Sequence, residues 1–368
     1  MIYLDNGATS MHKPPEVFRA MSRAVQLCGN PGRGGHPAAV AAMNVVYGCR
    51  EKAAKMFDCE PEQVAFTANC THGLNIAIGT LVKPGSKVVI SGFEHNAVTR
   101  PLYGLGAVVT VAGRKLFDHA DTLEQFEKAL QKGVDAAVFT HVSNVFGYIL
   151  PVEEMAALCR KYAVPFAVDA AQSAGMLPVK LDGWGADFIA MPGHKGLLGP
   201  QGTGLLLCSN GAEPLMAGGT GSNSADQEMP DFLPDRLEAG TLNVPGIAGL
   251  HAGLRYLERV GIDTVHHREH SAAVRCIRDL EEMGLRVFSG AHQAATVSFC
   301  PKCDCEEAAQ RLARQQIAVR AGLHCAPLAH ESAGTLETGT VRISFGPDAS
   351  AAQTEALRLA ILRSGICS

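Results

Sequence analysis

Two residues at the ends of neighbouring apolar runs have the types needed for carbonyl chemistry. Lys195 lies in Met191-Pro-Gly-His-Lys-Gly-Leu-Leu-Gly-Pro200, just past the run Asp187-Phe-Ile-Ala-Met191. That run reads as a buried strand stopped by Pro192 and Gly193. Lys195 is therefore expected at the carboxyl end of a strand, where open α/β sheets keep their ligands. An amine there can form a Schiff base with an aldehyde. Asp169 ends a second apolar run, Val164-Pro-Phe-Ala-Val-Asp169. An acid for a ring nitrogen at one strand end and an amine for an aldehyde carbon at the next are what pyridoxal phosphate needs. Alone, a lysine among glycines and prolines would read as a surface residue.

These residues need a scaffold, and the rest of the chain alternates in a way that supplies one. Val64–Thr67 reads as a short strand, followed by Ala68-Asn-Cys-Thr-His-Gly73 and a helix from about Leu74 to Leu81. A strand, a small-residue turn and a helix N-terminus make an anion site from free N–H groups and the helix dipole; capping by Thr71 is the competing explanation. Lys87–Ile90 leads to Phe93-Glu-His-Asn-Ala-Val98, and Asp135–His141 delivers Val142-Ser-Asn-Val-Phe-Gly147. Gly202–Cys208 is a further strand. Helices are expected from Pro14–Pro15 to about Leu27, over His36–Phe57, Asp121–Gln131 and Val152–Tyr162. This alternation argues for an α/β fold with a mostly parallel sheet. The glycine-rich stretch Gly29–Gly35 has neither Rossmann nor Walker spacing.

Glycine and polar residues gather over Gly211–Gly246, and a boundary is expected just after them. Residues 15–246 form the large cofactor-binding domain in this reading, with 1–14 and 247–368 as the small domain. The small domain has helical runs over Ile247–Met283, strands at Thr296–Phe299, Ile317–Arg320 and Thr340–Ser344, and a final helix to about Arg363, an α+β pattern.

Composition narrows the function classes. The chain has 368 residues, 47% hydrophobic and 18% charged, so a large core is expected. Its net charge of −4 and lack of a basic run argue against a nucleic acid partner. No apolar run approaches the length of a membrane span, and the first residues lack the pattern of a secretory signal. The 12 cysteines are scattered, so reduced thiols and a cytoplasmic location are expected.

With these motifs in view, the sequence resembles the class V aminotransferase family, fold type I enzymes of pyridoxal phosphate, and most closely its cysteine desulfurase and selenocysteine lyase subgroup. The matches run nearly end to end: Tyr3-Leu-Asp-Asn-Gly-Ala-Thr9, Phe66-Thr67 with Thr71 and Asn75, Glu94-His-Asn96, His141-Val-Ser-Asn144, Val168-Asp-Ala-Ala-Gln172, Gly193-His-Lys195, Glu238-Ala-Gly-Thr241, Arg320-Ala-Gly-Leu-His-Cys325 and Val341-Arg342. The resemblance implies that Lys195 carries the cofactor as an imine and shuttles the substrate α-proton. Asp169 would hold the pyridinium proton, Gln172 would donate to the ring oxygen, and His95 would stack on the ring. Asn144 would hold the ring oxygen or the substrate carboxylate. Thr71, His72 and His194 would contact the phosphate, with Thr241 arriving from a second subunit of a homodimer. Arg342 would clamp the substrate carboxylate as a planar bidentate donor.

In the same resemblance, Cys325 separates a desulfurase from a plain aminotransferase. Its loop is expected to be short, and cationic neighbours His324 and Arg320 would favour the thiolate. The implied reaction takes L-cysteine to L-alanine and leaves a persulfide on Cys325, with a sulfur-acceptor protein as partner. The alternatives are a selenocysteine lyase acting on L-selenocysteine, another class V aminotransferase or β-eliminating lyase, and a non-catalytic sulfur carrier. Cys70 stands where the family usually has a hydroxyl residue, and Phe345-Gly-Pro347 replaces its usual tyrosine-asparagine-threonine. Cys300, Cys303 and Cys305 supply only half of a paired zinc motif, so no metal is expected.

Overall fold

The computed structural model describes residues 1–32 and 34–367; Arg33, inside the glycine-rich loop, and Ser368 lie outside the described residues. In chain order the elements begin with β1 (Ile2–Tyr3), α1 (Pro15–Leu27), α2 (Pro37–Met56), β2 (Val64–Thr67), α3 (Cys70–Leu81), β3 (Lys87–Ser91), α4 (Asn96–Gly104) and β4 (Val108–Ala112). They continue with α5 (His119–Gln131), β5 (Ala136–Thr140), α6 (Val152–Lys161), β6 (Phe166–Asp169), α7 (Leu181–Trp184), β7 (Phe188–Pro192) and β8 (Gly204–Cys208). The last third holds α8 (Val244–Val260), α9 (Ile262–Glu282), β9 (Arg286–Phe288), β10 (Thr296–Cys300), α10 (Cys305–Arg314), β11 (Ile317–Ala318), β12 (Arg320–Gly322), α11 (Pro327–Ala333), β13 (Thr340–Ser344) and α12 (Ala351–Ser364).

Seven strands form the main sheet in the order β2-β8-β7-β6-β5-β3-β4. Strands β3 to β7 are parallel. β8 runs against both β7 and β2, so β2 points the same way as the parallel set. The carboxyl ends of β2, β3, β5, β6 and β7 therefore open on one edge. Strands β5 to β8 are buried at every position, which is why they read as continuous apolar runs rather than alternating ones. Helices cover both faces: α3 and α4 pack on one, and α2, α5, α6 and α8 on the other. The expected α/β architecture with a mostly parallel sheet is what the chain forms.

A second sheet, β12-β13-β10-β9, is antiparallel and packs with α9, α10 and α12 around Val297, Phe299, Val341 and Ile343. The N-terminus joins this end of the molecule: β1 lies parallel to β11, with Ile2 opposite Ile317, and Leu4 is buried in the same core.

Local chemistry explains where elements depart from the sequence reading. α3 starts at Cys70, not Leu74, because Asn69 Oδ1 accepts from the His72 amide at 2.9 Å; the cap is Asn69 rather than Thr71. α4 is an added helix, begun by His95, whose Nδ1 accepts from the Ala97 amide at 3.0 Å. The run Ile317–Arg320 is split, its first half pairing with β1 and its second with β13. The boundary expected after Gly246 falls inside α8, whose Ile247, Leu250, Leu254 and Leu257 are buried in the large core.

Candidate active site

The open edge of the main sheet holds a cavity of about 190 Å³. Each wall comes from a different strand end. β7 delivers His194 and Lys195, β6 Asp169, the segment after β6 Gln172, the segment after β5 Asn144, and the turn after β3 His95; the N-terminus of α3 brings Asn69, Cys70 and Thr71. Because β6 and β7 are neighbours, with Asp169 opposite Ala190, the acid and the lysine open into the same space.

Asp169 is 3% exposed. Its Oδ1 accepts from the Ala171 amide at 2.8 Å and from Cys70 Sγ at 3.4 Å, while Oδ2 accepts no hydrogen bond from the described residues. Burial pushes the Lys195 ammonium down from its usual value, with Asp169 opposing and Arg342 adding to the fall. Burial also lowers His95, and its Nδ1 is an acceptor, so the imidazole is neutral with its proton on Nε2. His194, lowered to about 4 first by burial and then by Lys195 and Lys13, shares a 3.1 Å contact with Thr9 Oγ1.

The lysine loop is braced from behind by the N-terminal segment. The His194 carbonyl accepts from the Ser10 amide at 2.9 Å, Ser10 Oγ at 2.9 Å, Thr9 Oγ1 at 3.2 Å and Lys13 Nζ at 3.4 Å. These residues lie about 180 positions from Lys195 in sequence, and no local signal pointed to their role.

Four residues expected in the site are engaged elsewhere or lie outside the cavity. Gln172 Nε2 donates to the Gly7 carbonyl at 3.0 Å. Arg342, 2% exposed, donates from Nη2 to Asp5 Oδ1 at 2.7 Å and from Nη1 to the Asn144 carbonyl at 3.0 Å, leaving Nε unpaired. His72 turns away from the cavity, its Nδ1 accepting from the Ala68 amide at 3.2 Å. Thr241 is exposed and lines a separate surface groove with Val40, Met43 and Tyr47 of α2.

Cys325 is exposed and sits at the cavity rim through its backbone: its carbonyl accepts from the Asn96 amide at 2.8 Å, next to His95. The preceding carbonyl, of His324, accepts from Asn144 Nδ2 at 2.8 Å. His324 and Cys325 have φ of 52° and 55°, and the Ala326 amide donates to the Leu323 carbonyl at 2.9 Å. This is a tight turn with both central residues left-handed, a conformation that costs non-glycine residues energy. His324 was expected to help as a cation. Its ring is buried, which lowers it to about 2, with Arg342 the next cause, so it is neutral and gives Cys325 no positive charge.

Pyridoxal phosphate fits these groups. Asp169 Oδ2 is an unpaired acceptor for a protonated ring nitrogen, and Lys195 supplies an amine. At the start of α3 the Cys70 and Thr71 amides donate to no group among the described residues, and the Thr71 hydroxyl stands beside them, a donor set suited to a phosphate. Among the described residues no group of three or more His, Cys, Asp or Glu is arranged to hold a metal ion.

The sequence profile of aminotransferase class-V matches residues 2–357. A protein of Pyrococcus abyssi named as a probable cysteine desulfurase is 33% identical over 367 residues, covering 94% of this chain and 89% of its own. Another so named, from Methanothermobacter thermautotrophicus, is 33% identical over 94% of this chain and 90% of its own. Among solved structures, an apo cysteine desulfurase of Thermococcus onnurineus aligns with a TM-score of 0.89 and 31% identity, covering 98% of this chain and 94% of that one.

Proposed function

The chain belongs to the class-V aminotransferase family, and we propose that within it the protein is a pyridoxal-phosphate-dependent cysteine desulfurase, converting L-cysteine to L-alanine and leaving the sulfur on Cys325 as a persulfide. One observation carries this reading. Lys195 and Asp169 open into one cavity, and an exposed thiol is tied by its backbone to the rim of that cavity.

When bound, pyridoxal phosphate supplies an electron sink next to the substrate α-carbon. Lys195 Nζ would hold it covalently, Asp169 Oδ2 would hold the ring-nitrogen proton, Gln172 and His95 would contact the ring, and Thr71 with the α3 amides would hold the phosphate, joined by His194; His72, turned to the Ala68 amide, would take no part. Lys195, its ammonium already lowered, accepts and returns the α-proton. Asn144 would orient the substrate carboxylate, and Arg342 would join it through Nε, the one guanidinium nitrogen without a partner among the described residues. Cys325 Sγ attacks the substrate sulfur: the C–S bond breaks, an S–S bond forms, and a proton replaces sulfur on the substrate β-carbon. L-cysteine and thiol thus give L-alanine and persulfide with atoms balanced.

Both carbonyls of the Cys325 turn are held by the large domain, so the thiol has little reach, and a sulfur-acceptor protein must come to it. A homodimer is part of the same reading. Val40, Met43 and Tyr47 are exposed apolar residues on α2, and Leu215, Met216 and Phe232 on the loop before α8; surface this apolar favours a partner copy. The twelve free cysteines suit the reducing cytoplasm; no helix among the described residues is long and apolar enough to cross a membrane.

Mass spectrometry after reaction with L-cysteine and alkylation tests this reading. The extra sulfur should lie on Cys325, and Cys325→Ser should bind substrate without releasing alanine. Extra sulfur on Cys300, Cys303 or Cys305, with alanine still released by Cys325→Ser, would overturn the mechanism.

A further inference from the structure

Cys70 is a thiol inside the cofactor cavity with no part in the chemistry above. It is the first residue of α3 and is 8% exposed. It lines the cavity together with Asp169 and Lys195. Its Sγ lies 3.4 Å from Asp169 Oδ1, within range for a sulfur donor.

The way Asp169 is loaded gives this contact a consequence. A carboxylate can swing about its last torsion and present either oxygen. Here both observed donors, the Ala171 amide and the Cys70 thiol, converge on Oδ1. The amide comes from the chain just beyond the strand end and the thiol from the helix that follows β2, three strands away in the sheet. Held from two sides, the carboxylate leaves only Oδ2 for a ligand.

We propose that Cys70 is a positioning residue that acts through Asp169: by donating its S–H to Oδ1 it locks the carboxylate with Oδ2 facing the ring nitrogen of pyridoxal phosphate. This rests on the reading of the cavity as the site of that cofactor. Burial and the Asp169 charge both push the Cys70 thiol well up from its usual value. It stays S–H, a lasting donor, and is the wrong thiol to receive sulfur, since a thiolate beside Asp169 would meet like charge. A plain space-filling role is the rival account, and the two differ in what can replace the sulfur.

The full-length apoenzyme and its Cys70→Ala, Cys70→Val and Cys70→Ser variants would be titrated with pyridoxal phosphate, following visible absorbance. The ¹⁵N resonance of cofactor labelled at the ring nitrogen would be recorded for each. A donor role predicts that Ser keeps wild-type affinity and the wild-type ¹⁵N shift. Ala and Val should both move the shift and weaken binding about five- to tenfold, the loss of one modest hydrogen bond. Restoration by Val but not by Ser would overturn the proposal in favour of packing. Four equal titrations with one common ¹⁵N shift would overturn it as well, while leaving the cofactor reading intact. Failure of the wild type to bind pyridoxal phosphate would overturn both.

Discussion

Glu94 has one carboxylate oxygen crowded by donors and the other with none. Oε1 accepts from the Thr140 amide at 2.9 Å, the Ser91 amide at 3.3 Å and the Ser91 hydroxyl, while Oε2 is buried and unpaired. Burial pushes the group up from 4.5 to about 8, against those hydrogen bonds. Between these values the unfolded chain has lost the proton and the folded chain keeps it. Folding then takes up a proton, and stability falls as pH rises through that window. Glu94→Gln keeps an acceptor for all three donors and cannot ionise. It should match wild type near pH 5 and exceed it by a few kcal/mol, roughly, near pH 8, as read by chemical denaturation at several pH values. A difference that does not change with pH would show that Glu94 is not held protonated. The same dependence on burial separates what the residues announce from what they hide. Lys195 and Asp169 were legible because each ends a continuous apolar run. The neutrality of His324 was not, because its next-door position to Cys325 is visible in sequence while its burial against His330 is a tertiary fact.

Helix ends do much of the positioning at this site, and α3 is the clearest case. Asn69 closes its first turn through the His72 amide, leaving the Cys70 and Thr71 amides free at the cavity. Asn69→Ala should therefore cost about 1 kcal/mol of stability and weaken binding of free inorganic phosphate to the apoenzyme; unchanged phosphate binding would show that the cap does not shape the anion site. The helix was expected in sequence but four residues late, since a polar first turn has no apolar periodicity to reveal it. α4 and α11 were missed for a related reason. Each is short and contains a proline, Pro101 in α4 and Pro327 at the start of α11, so each reads as loop. The parallel strands were legible nearly to the residue. The inner ones, β5 to β7, are buried at every position and show as unbroken apolar runs between polar segments, and the sheet edge is simply where those runs stop.

At the scale of the whole molecule, the two ends of the chain meet at the site. Asp5 binds Arg342 across 337 positions, a pairing that spacing alone cannot disclose. Like His72 and Arg342, Thr241 was expected in the site and does not line the cavity. Its loop is fixed firmly to its own subunit: Arg50 of α2 makes a two-pronged pair with Glu238 at 2.9 Å for each contact, and Glu238 Oε1 also accepts from the Phe66 amide at 2.7 Å. A loop so anchored will not swing inward, so Thr241 serves a phosphate only if that phosphate belongs to the other copy in a two-fold pair. Mixing two inactive variants decides this. Thr241→Ala, assayed where the loss of a hydrogen bond to a charged group leaves its sites mostly empty of cofactor, is combined with Lys195→Ala. Random re-pairing makes about half the dimers hybrids. If Thr241 acts across the interface, each hybrid has one site with both an intact Lys195 and an intact Thr241, and activity returns to roughly a quarter of wild type. If Thr241 acts within its own chain, both sites of every hybrid are damaged and mixing restores nothing. Sedimentation of the wild type should show a dimer at assay concentrations, and a fully active monomer would remove the premise.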